Sequence, residues 1–168
     1  MQQTSEVSKT KVIVPIGELR VSADPAEQLI TYALGSCLGI TVYDPIARVG
    51  GLLHAMLPRA EIDPVKAQQQ PALFVETGIP ALFRACYAQG AQKPRLEVRI
   101  AGGALVSCEG KDHFEIGKRN LLMARQLFWH NSIFVRGQDV GGSESRTMSL
   151  HVGSGEVVIR KRGSSTQL

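Results

Sequence analysis

A cysteine that follows a Gly-Ser pair is the residue of this chain best suited to covalent chemistry. Cys37 lies between two apolar segments in the sequence LGSCLG, directly after Gly35 and Ser36. Glycine permits a sharp turn and a close backbone approach, so the thiol and its own amide N–H could face one substrate carbonyl. We therefore predict a nucleophile at Cys37, with Gly35 and Ser36 supporting the turn and the oxyanion donor. The alternative is that Cys37 is a small buried apolar residue.

Two further polar residues could assist this cysteine. His54 stands inside the apolar run GLLHAML. The strands on either side of the Asp44-Pro45 turn could pair and bring the imidazole beside the start of the Cys37 strand. An adjacent imidazole lowers the pKa of a thiol and relays the protons of acyl transfer. Thr31 on the preceding strand could orient the ring, although threonine and histidine also occur in strands for packing reasons alone.

Most elements that must position these residues are short strands. Segments rich in apolar and β-branched residues, separated by Gly or Asp-Pro turns, predict strands at 12–16, 28–34, 38–43 and 49–57. Strict alternation predicts a half-buried strand at 95–101. Three more strands are predicted at 133–136, 147–152 and 156–160, the last two joined by a tight hairpin at 153–155.

Helices and loops complete the predicted domain. Apolar residues at helical spacing predict helices at 72–89 and 120–130. Pro80 either lies in the first turn of a shorter helix capped by Thr77 or bends a longer one. The polar segment 58–71 predicts a mobile surface loop. We expect one α+β domain at 11–162, with β-rich core sheets, about two covering helices and flexible tails at 1–10 and 163–168.

Composition excludes several classes of protein. The 168 residues suit a single domain, and no apolar run is long enough to cross a bilayer. The polar amino terminus lacks the apolar core of a secretory signal, so we expect a cytoplasmic protein without membrane insertion. Three scattered cysteines and four histidines without ligand spacing predict neither a disulfide framework nor a metal site. The Gly-Gly pairs lack nucleotide-binding spacing and aromatics are scarce, so we expect no cofactor and no nucleic acid.

Five motifs follow one another along the predicted domain. They are TYALGSCLG (31–39), Asp44-Pro45 with VGGLLHAMLP (49–58), IAGG (100–103), IGKRN (116–120) and DVGG (139–142) with Arg146. In this order they resemble the chemoreceptor glutamine deamidase family, CheD, of bacterial chemotaxis. The chain departs from the family's usual pattern at Lys118, where Gly, Ala or Glu is more common, and at Pro80.

This resemblance implies a function and roles for three residues. It implies that Cys37 is the nucleophile, His54 the base and Thr31 the third catalytic residue of a protein-glutamine deamidase. The substrates would be the cytoplasmic helices of methyl-accepting chemotaxis receptors, with receptor methylesterase activity as a second reaction. It also implies a fold related to glutamine-deamidating toxin domains and a CheC-type phosphatase partner. Arg119 and Asn120 could line a groove for substrate or partner, or they could simply begin a helix.

Two other classes of function remain open from the sequence. In the first, Cys37 is buried and the chain is a non-catalytic adaptor that binds receptors or a phosphatase. In the second, the chain is a redox sensor in which Cys37 pairs with Cys86 or Cys108. Conversion of receptor glutamines distinguishes both classes from the enzyme.

Overall fold

Two five-stranded sheets form the frame of the molecule. The structure is a computed structural model that describes residues 9–105 and 114–168. In these ranges the strands are β1 (Thr10–Ile13), β2 (Leu19–Ser22), β3 (Glu27–Leu34), β4 (Leu38–Asp44), β5 (Val49–Ala55), β6 (Glu97–Gly102), β7 (Val135–Val140), β8 (Arg146–His151), β9 (Val157–Lys161) and β10 (Ser164–Gln167). The helices are α1 (Pro64–Gln69), α2 (Val75–Ala88) and α3 (Ile116–His130). The predicted α+β class is confirmed.

Both sheets mix antiparallel and parallel pairs. The first sheet has the order β1-β3-β8-β9-β10, and only β1 with β3 is parallel among its described pairs. The second sheet has the order β2-β5-β4-β6-β7, and its parallel pair is β6 with β7. Since β3 and β4 follow each other along the chain but lie in different sheets, the segment 35–37 between them crosses from one sheet to the other.

Two apolar layers hold the sheets and helices together. One lies between the sheets and includes Leu29, Leu34, Leu52 and Met148. The other lies between the second sheet and helices α2 and α3. Successive side chains of a strand point to opposite faces, so Leu52 enters the layer between the sheets whereas Leu53 enters the helix layer. Each fully buried side chain of this size contributes about 1.5–3 kcal/mol.

A buried carboxylate fixes the turn between β4 and β5. Asp44 accepts hydrogen bonds from the amides of Ile46, Ala47 and Gln92 and from the guanidinium of Arg95. Burial alone would raise the pKa of Asp44, but Arg95 and these amides hold it well below its usual value. The turn is thereby tied to the segment that leads into β6.

Each predicted strand overlaps an observed one, and the hairpin between β8 and β9 is confirmed. The strand β2 was not predicted because four residues give too little pattern. Helix α2 (Val75–Ala88) lies within the region predicted as a helix and runs through Pro80, so the alternative of a shorter helix capped by Thr77 is wrong. Thr77 instead donates its hydroxyl to the carbonyl of Pro71 over 2.6 Å.

Two predicted irregular segments are regular in the structure. The predicted loop at 58–71 contains α1, whose Asp63 side chain caps the amide of Lys66, and short 3-10 turns. The predicted tail at 163–168 forms β10, which pairs with β9. Of the predicted amino-terminal tail, Thr10 begins β1, and residues 1–8 lie outside the described residues. Within the described ranges, no helix has the length and apolar character needed to span a bilayer.

Candidate active site

A bulge near the end of β3 directs the chain so that Cys37 lies where the two sheets meet. The register of β3 against β8 shifts between Thr31 and Leu34, and Ala33 has a φ of 57°. Such a left-handed conformation costs a non-glycine residue about 1–2 kcal/mol. The amide of Gly35 then donates to the carbonyl of Ala33 over 3.0 Å. The sharp turn predicted at Gly35 is therefore made by Ala33, and it sets the direction in which the chain enters β4.

The first Gly-Gly pair holds the backbone around Cys37. The amide of Gly103 donates to the carbonyl of Cys37, and the amide of Ala104 donates to that of Gly35, each over 2.9 Å. Gly102 has a φ of 105°, and a Cβ atom there would overlap the carbonyl oxygen of Cys37. Glycine is thus required at 102 because the segment that carries Cys37 packs against the end of β6.

The hairpin of β4 and β5 forms as predicted and places His54 beside the start of β4. Gly39 pairs with His54 in the antiparallel register. His54 is two residues from Leu52, so both side chains point into the layer between the sheets, which also contains Cys37. A side chain at 39 would meet Leu34 and Met148, and glycine leaves that space to them.

A threonine from the other sheet orients the imidazole. The hydroxyl of Thr31 donates to the carbonyl of Val14 over 2.7 Å and lies 2.7 Å from Nδ1 of His54. A hydroxyl has one proton and the carbonyl can only accept, so Nδ1–H must donate to the Thr31 oxygen. The lone pair of the ring is therefore on Nε2, which has no hydrogen-bond partner among the described residues. The imidazole is held in the tautomer that a general base requires.

Both candidate reacting groups are neutral in this state. Burial lowers the pKa of His54 to about 4 and raises the pKa of Cys37. His54 and Thr31 are fully buried, whereas Cys37 keeps 9% of its surface exposed. Nε2 of His54 and the sulfur share no hydrogen bond here. Such bonds in a site without substrate are often long and tighten when substrate binds.

Two backbone amides at the start of the Cys37 segment are unpaired within the described residues. Within the described residues, the N–H groups of Ser36 and Cys37 donate to no oxygen. The N–H of Cys37 faces its own sulfur and opposes the larger effect of burial on the pKa of the thiol. Amides in this arrangement can stabilise an oxyanion that forms on an attacked carbonyl.

Asn120 lies behind the site, and the prediction that it lines a groove is wrong. Its side chain is fully buried and donates from Nδ2 to the carbonyls of Ser36 and Met56, over 2.9 Å each. Arg119 is exposed, and its role as a groove residue stays a prediction. The sequence does carry a signal for this position. Asn120 is a polar residue on the same helix face as the buried Gly117 and Ala124.

The second described cysteine does not belong to the site. Cys86 is fully buried in the helix layer, and burial raises its pKa to about 12. The second sheet separates it from Cys37, so the predicted redox pair of these two residues is not supported. Cys108 lies outside the described residues. In the described ranges, no three His, Cys, Asp or Glu side chains gather in a way that could hold a metal ion.

Comparisons with known proteins identify the family. The family model described as CheD chemotactic sensory transduction matches residues 56–161. The chain belongs to the CheD family. The match begins after Thr31, Cys37 and His54, but similarity to curated CheD proteins extends over most of the chain.

Two curated relatives illustrate this similarity. "Probable chemoreceptor glutamine deamidase CheD 1" of Syntrophus aciditrophicus is 45% identical over 152 residues, which cover 90% of this chain and 94% of that protein. "Probable chemoreceptor glutamine deamidase CheD" of Solibacter usitatus is 42% identical over 158 residues, covering 94% and 93%. Among solved structures, the Bacillus licheniformis hypothetical protein YfiH is 14% identical, with a TM-score of 0.44 over 74% of this chain and 49% of that one.

Proposed function

We propose that this CheD family member is a cysteine-dependent protein-glutamine deamidase that converts glutamine side chains of chemoreceptors to glutamate. The names of the curated relatives support the reaction and the class of substrate. We assign the nucleophile to Cys37, the general base to His54 and the orientation of that base to Thr31. The observation that carries this assignment is the bond between Thr31 and Nδ1, which leaves the lone pair of Nε2 free in the layer that contains Cys37.

Acylation begins with proton transfer between two neutral groups. Nε2 of His54 takes the thiol proton as the sulfur of Cys37 attacks the carboxamide carbon of the substrate. The amide oxygen becomes an oxyanion that accepts hydrogen bonds from the amides of Ser36 and Cys37. The imidazolium then gives its proton to the departing nitrogen, so ammonia leaves and a thioester between Cys37 and the substrate remains.

Deacylation uses the same two groups, with water as the nucleophile and the sulfur as the leaving group. His54 takes a proton from water, the hydroxide attacks the thioester carbon, and the thiol leaves with the proton from the imidazolium. The product is a glutamate, so the receptor helix gains a negative charge. A glutamate methyl ester would form the same thioester with loss of methanol, and we therefore include receptor methylesterase activity in the proposal.

The burial of Cys37 restricts which groups of a substrate can reach the sulfur. Cys37 is largely buried, with 9% of the residue exposed, so we expect the sulfur to accept a carboxamide on a flexible side chain and to exclude a folded backbone. Glutamines on the cytoplasmic helices of chemoreceptors meet this requirement, and we place the reaction in the cytoplasm. A CheC-type phosphatase that competes for the same face is the regulatory partner we propose.

The proposal is tested by glutamine conversion on receptor cytoplasmic fragments. Ammonia release and peptide mass would be followed for wild type, Cys37→Ala, His54→Ala and the matched control Cys86→Ala. We expect rates to fall by at least about 10³-fold for Cys37→Ala and about 10²–10⁴-fold for His54→Ala, while Cys86→Ala retains activity. Conversion by Cys37→Ala at the wild-type rate would exclude the nucleophile. A wild-type protein that binds receptor fragments but releases no ammonia would indicate the non-catalytic adaptor.

A further inference from the structure

The side chain of Asn120 joins the two segments that carry the candidate nucleophile and base. One hydrogen of its Nδ2 amide is donated to the carbonyl of Ser36, which precedes Cys37. The other is donated to the carbonyl of Met56, which lies two residues after His54. A primary amide has two such hydrogens, so the donor capacity of Asn120 is fully used on these two segments.

The orientation of the amide group follows from its partners. Both partners are carbonyl oxygens, and a reversed amide would place Oδ1 against two acceptors. Oδ1 itself is buried and has no hydrogen-bond partner among the described residues. An unsatisfied buried acceptor costs free energy, and this cost accompanies the orientation in which both Nδ2 hydrogens are donated.

The bond to Ser36 acts on the peptide unit that contains the Cys37 amide. The carbonyl of Ser36 and the N–H of Cys37 belong to one planar unit and point in opposite directions across it. Fixing the carbonyl oxygen on Asn120 therefore turns the N–H away from α3. Within the described residues that N–H donates to no oxygen. A hydrogen bond to the carbonyl also polarises the unit and strengthens the N–H as a donor.

We infer that Asn120 is a positioning residue that orients the Cys37 amide toward the oxyanion of the acylation step. This role rests on the proposed function, because an oxyanion forms only if Cys37 attacks a carbonyl. Asn120 touches no reacting atom in this scheme. It acts through the peptide unit between Ser36 and Cys37, and it sets the distance of that unit from the end of β5.

Two reactions of the Cys37 sulfur distinguish an orienting role of Asn120 from a structural one. Deamidation passes through an oxyanion, whereas alkylation of the thiol by iodoacetamide is a displacement that forms none. Loss of the oriented amide should slow the first reaction and spare the second. A general loosening of the fold would change both, because it would alter the exposure of Cys37.

The test compares Asn120→Ala with Asn131→Ala. Asn131 caps the same helix, and its Nδ2 also donates to a backbone carbonyl, that of Leu127 over 2.8 Å, but it is exposed at the far end. For Asn120→Ala we expect kcat of deamidation to fall roughly 10–100-fold, somewhat less than the loss of a complete oxyanion donor. KM and the rate of Cys37 alkylation should stay within about threefold. Asn131→Ala should match wild type in all three.

A second measurement does not depend on activity. The backbone amide resonance of Cys37 in an NMR spectrum should shift in Asn120→Ala and stay in place in Asn131→Ala. If Asn120→Ala fails to fold, Asn120→Ser takes its place, with smaller changes in the same direction. An unchanged kcat, an unmoved Cys37 resonance, or equal losses in deamidation and alkylation would overturn the inference. A wild-type protein without deamidase activity would overturn the proposed function instead, and the resonance would still decide whether Asn120 orients the amide.

Discussion

Thr31 is the residue whose hydrogen bonds determine what His54 can do. Valine has nearly the same shape as threonine but no hydroxyl, so Thr31→Val leaves Nδ1–H of His54 and the carbonyl of Val14 without a partner. The ring could then adopt either tautomer, and we expect kcat for glutamine conversion to fall roughly 10–100-fold. Serine keeps the hydroxyl, so Thr31→Ser should remain within about tenfold of wild type.

Steady-state rates on receptor fragments check this prediction, with urea unfolding to correct for stability. Each buried group left unpaired costs about 1–3 kcal/mol, so Thr31→Val should also be less stable. Equal kcat values for Thr31→Val and Thr31→Ser would exclude an orienting role for the hydroxyl.

Residue types made Cys37, His54 and Thr31 candidates, and the resemblance to the CheD family selected them together. Cys37, His54 and Thr31 stand out because thiol, imidazole and hydroxyl groups have defined roles in acyl transfer. Asn120 was noticed but misplaced in a surface groove. Its hydrogen-bond partners are two backbone carbonyls. Since every residue has a backbone carbonyl, no pattern of side chains in the sequence could reveal these two partners.

At the scale of elements, the end of β6 supports the segment that carries Cys37, the proposed nucleophile. Gly102 and Gly90 both have a φ near +100°, at 105° and 99°, but a Cβ at 102 would overlap Cys37 whereas one at 90 meets nothing within 4 Å. Alanine at either position carries a similar backbone cost of about 1 kcal/mol or more. Only Gly102→Ala must also displace the carbonyl of Cys37. We expect Gly102→Ala to lower kcat at least about 100-fold and to be the less stable variant.

Gly90→Ala is the matched control for this pair. It should lose stability but retain glutamine conversion within about threefold, since it lies at the end of α2 away from the site. Deamidation assays and unfolding curves on both variants provide the measurement. Similar activity in the two variants would show that the packing of β6 on Cys37 does not matter to the reaction.

Elements defined by local contacts were predicted well. The β4–β5 hairpin depends on the Asp44 turn and on continuous apolar strands, and its register places His54 opposite Gly39. The errors fall on short or polar elements. Helix α1 is brief and rich in glutamine, and β10 is fully exposed, so neither has an apolar pattern that could distinguish it from a loop or tail.

At the scale of the whole molecule, the candidate site exists only where the two sheets meet. Thr31 comes from the first sheet, His54 from β5 of the second, and Cys37 from the crossing segment that precedes β4. The sequence indicates these strands but not which sheets they join. That choice depends on how apolar faces pack across the layer between the sheets, which is a contact between distant parts of the chain.

Placing a neutral histidine in that layer makes the stability of the molecule depend on pH. The pKa of His54 is lowered from 6.5 to about 4 by burial, so between these values the unfolded chain binds a proton that the folded chain does not. The free energy of unfolding must then decrease as the pH falls through this window. From pH 7 to pH 4.5 we expect a loss of about 2–3 kcal/mol. Asp44 has little effect there, because its carboxyl stays ionised in the folded state and its ordinary pKa is 3.8.

Urea unfolding at several pH values between 4.5 and 7 measures this loss, and His54→Gln identifies its source. Glutamine does not titrate, so most of the pH dependence should disappear in that variant even if its stability at pH 7 is lower. His151→Gln is the control. Burial also lowers the pKa of His151, but this side chain is partly exposed and should account for the smaller share. If wild type and His54→Gln lose the same free energy between pH 7 and 4.5, His54 is not buried as a neutral base, and the proton transfer from Cys37 would need another acceptor.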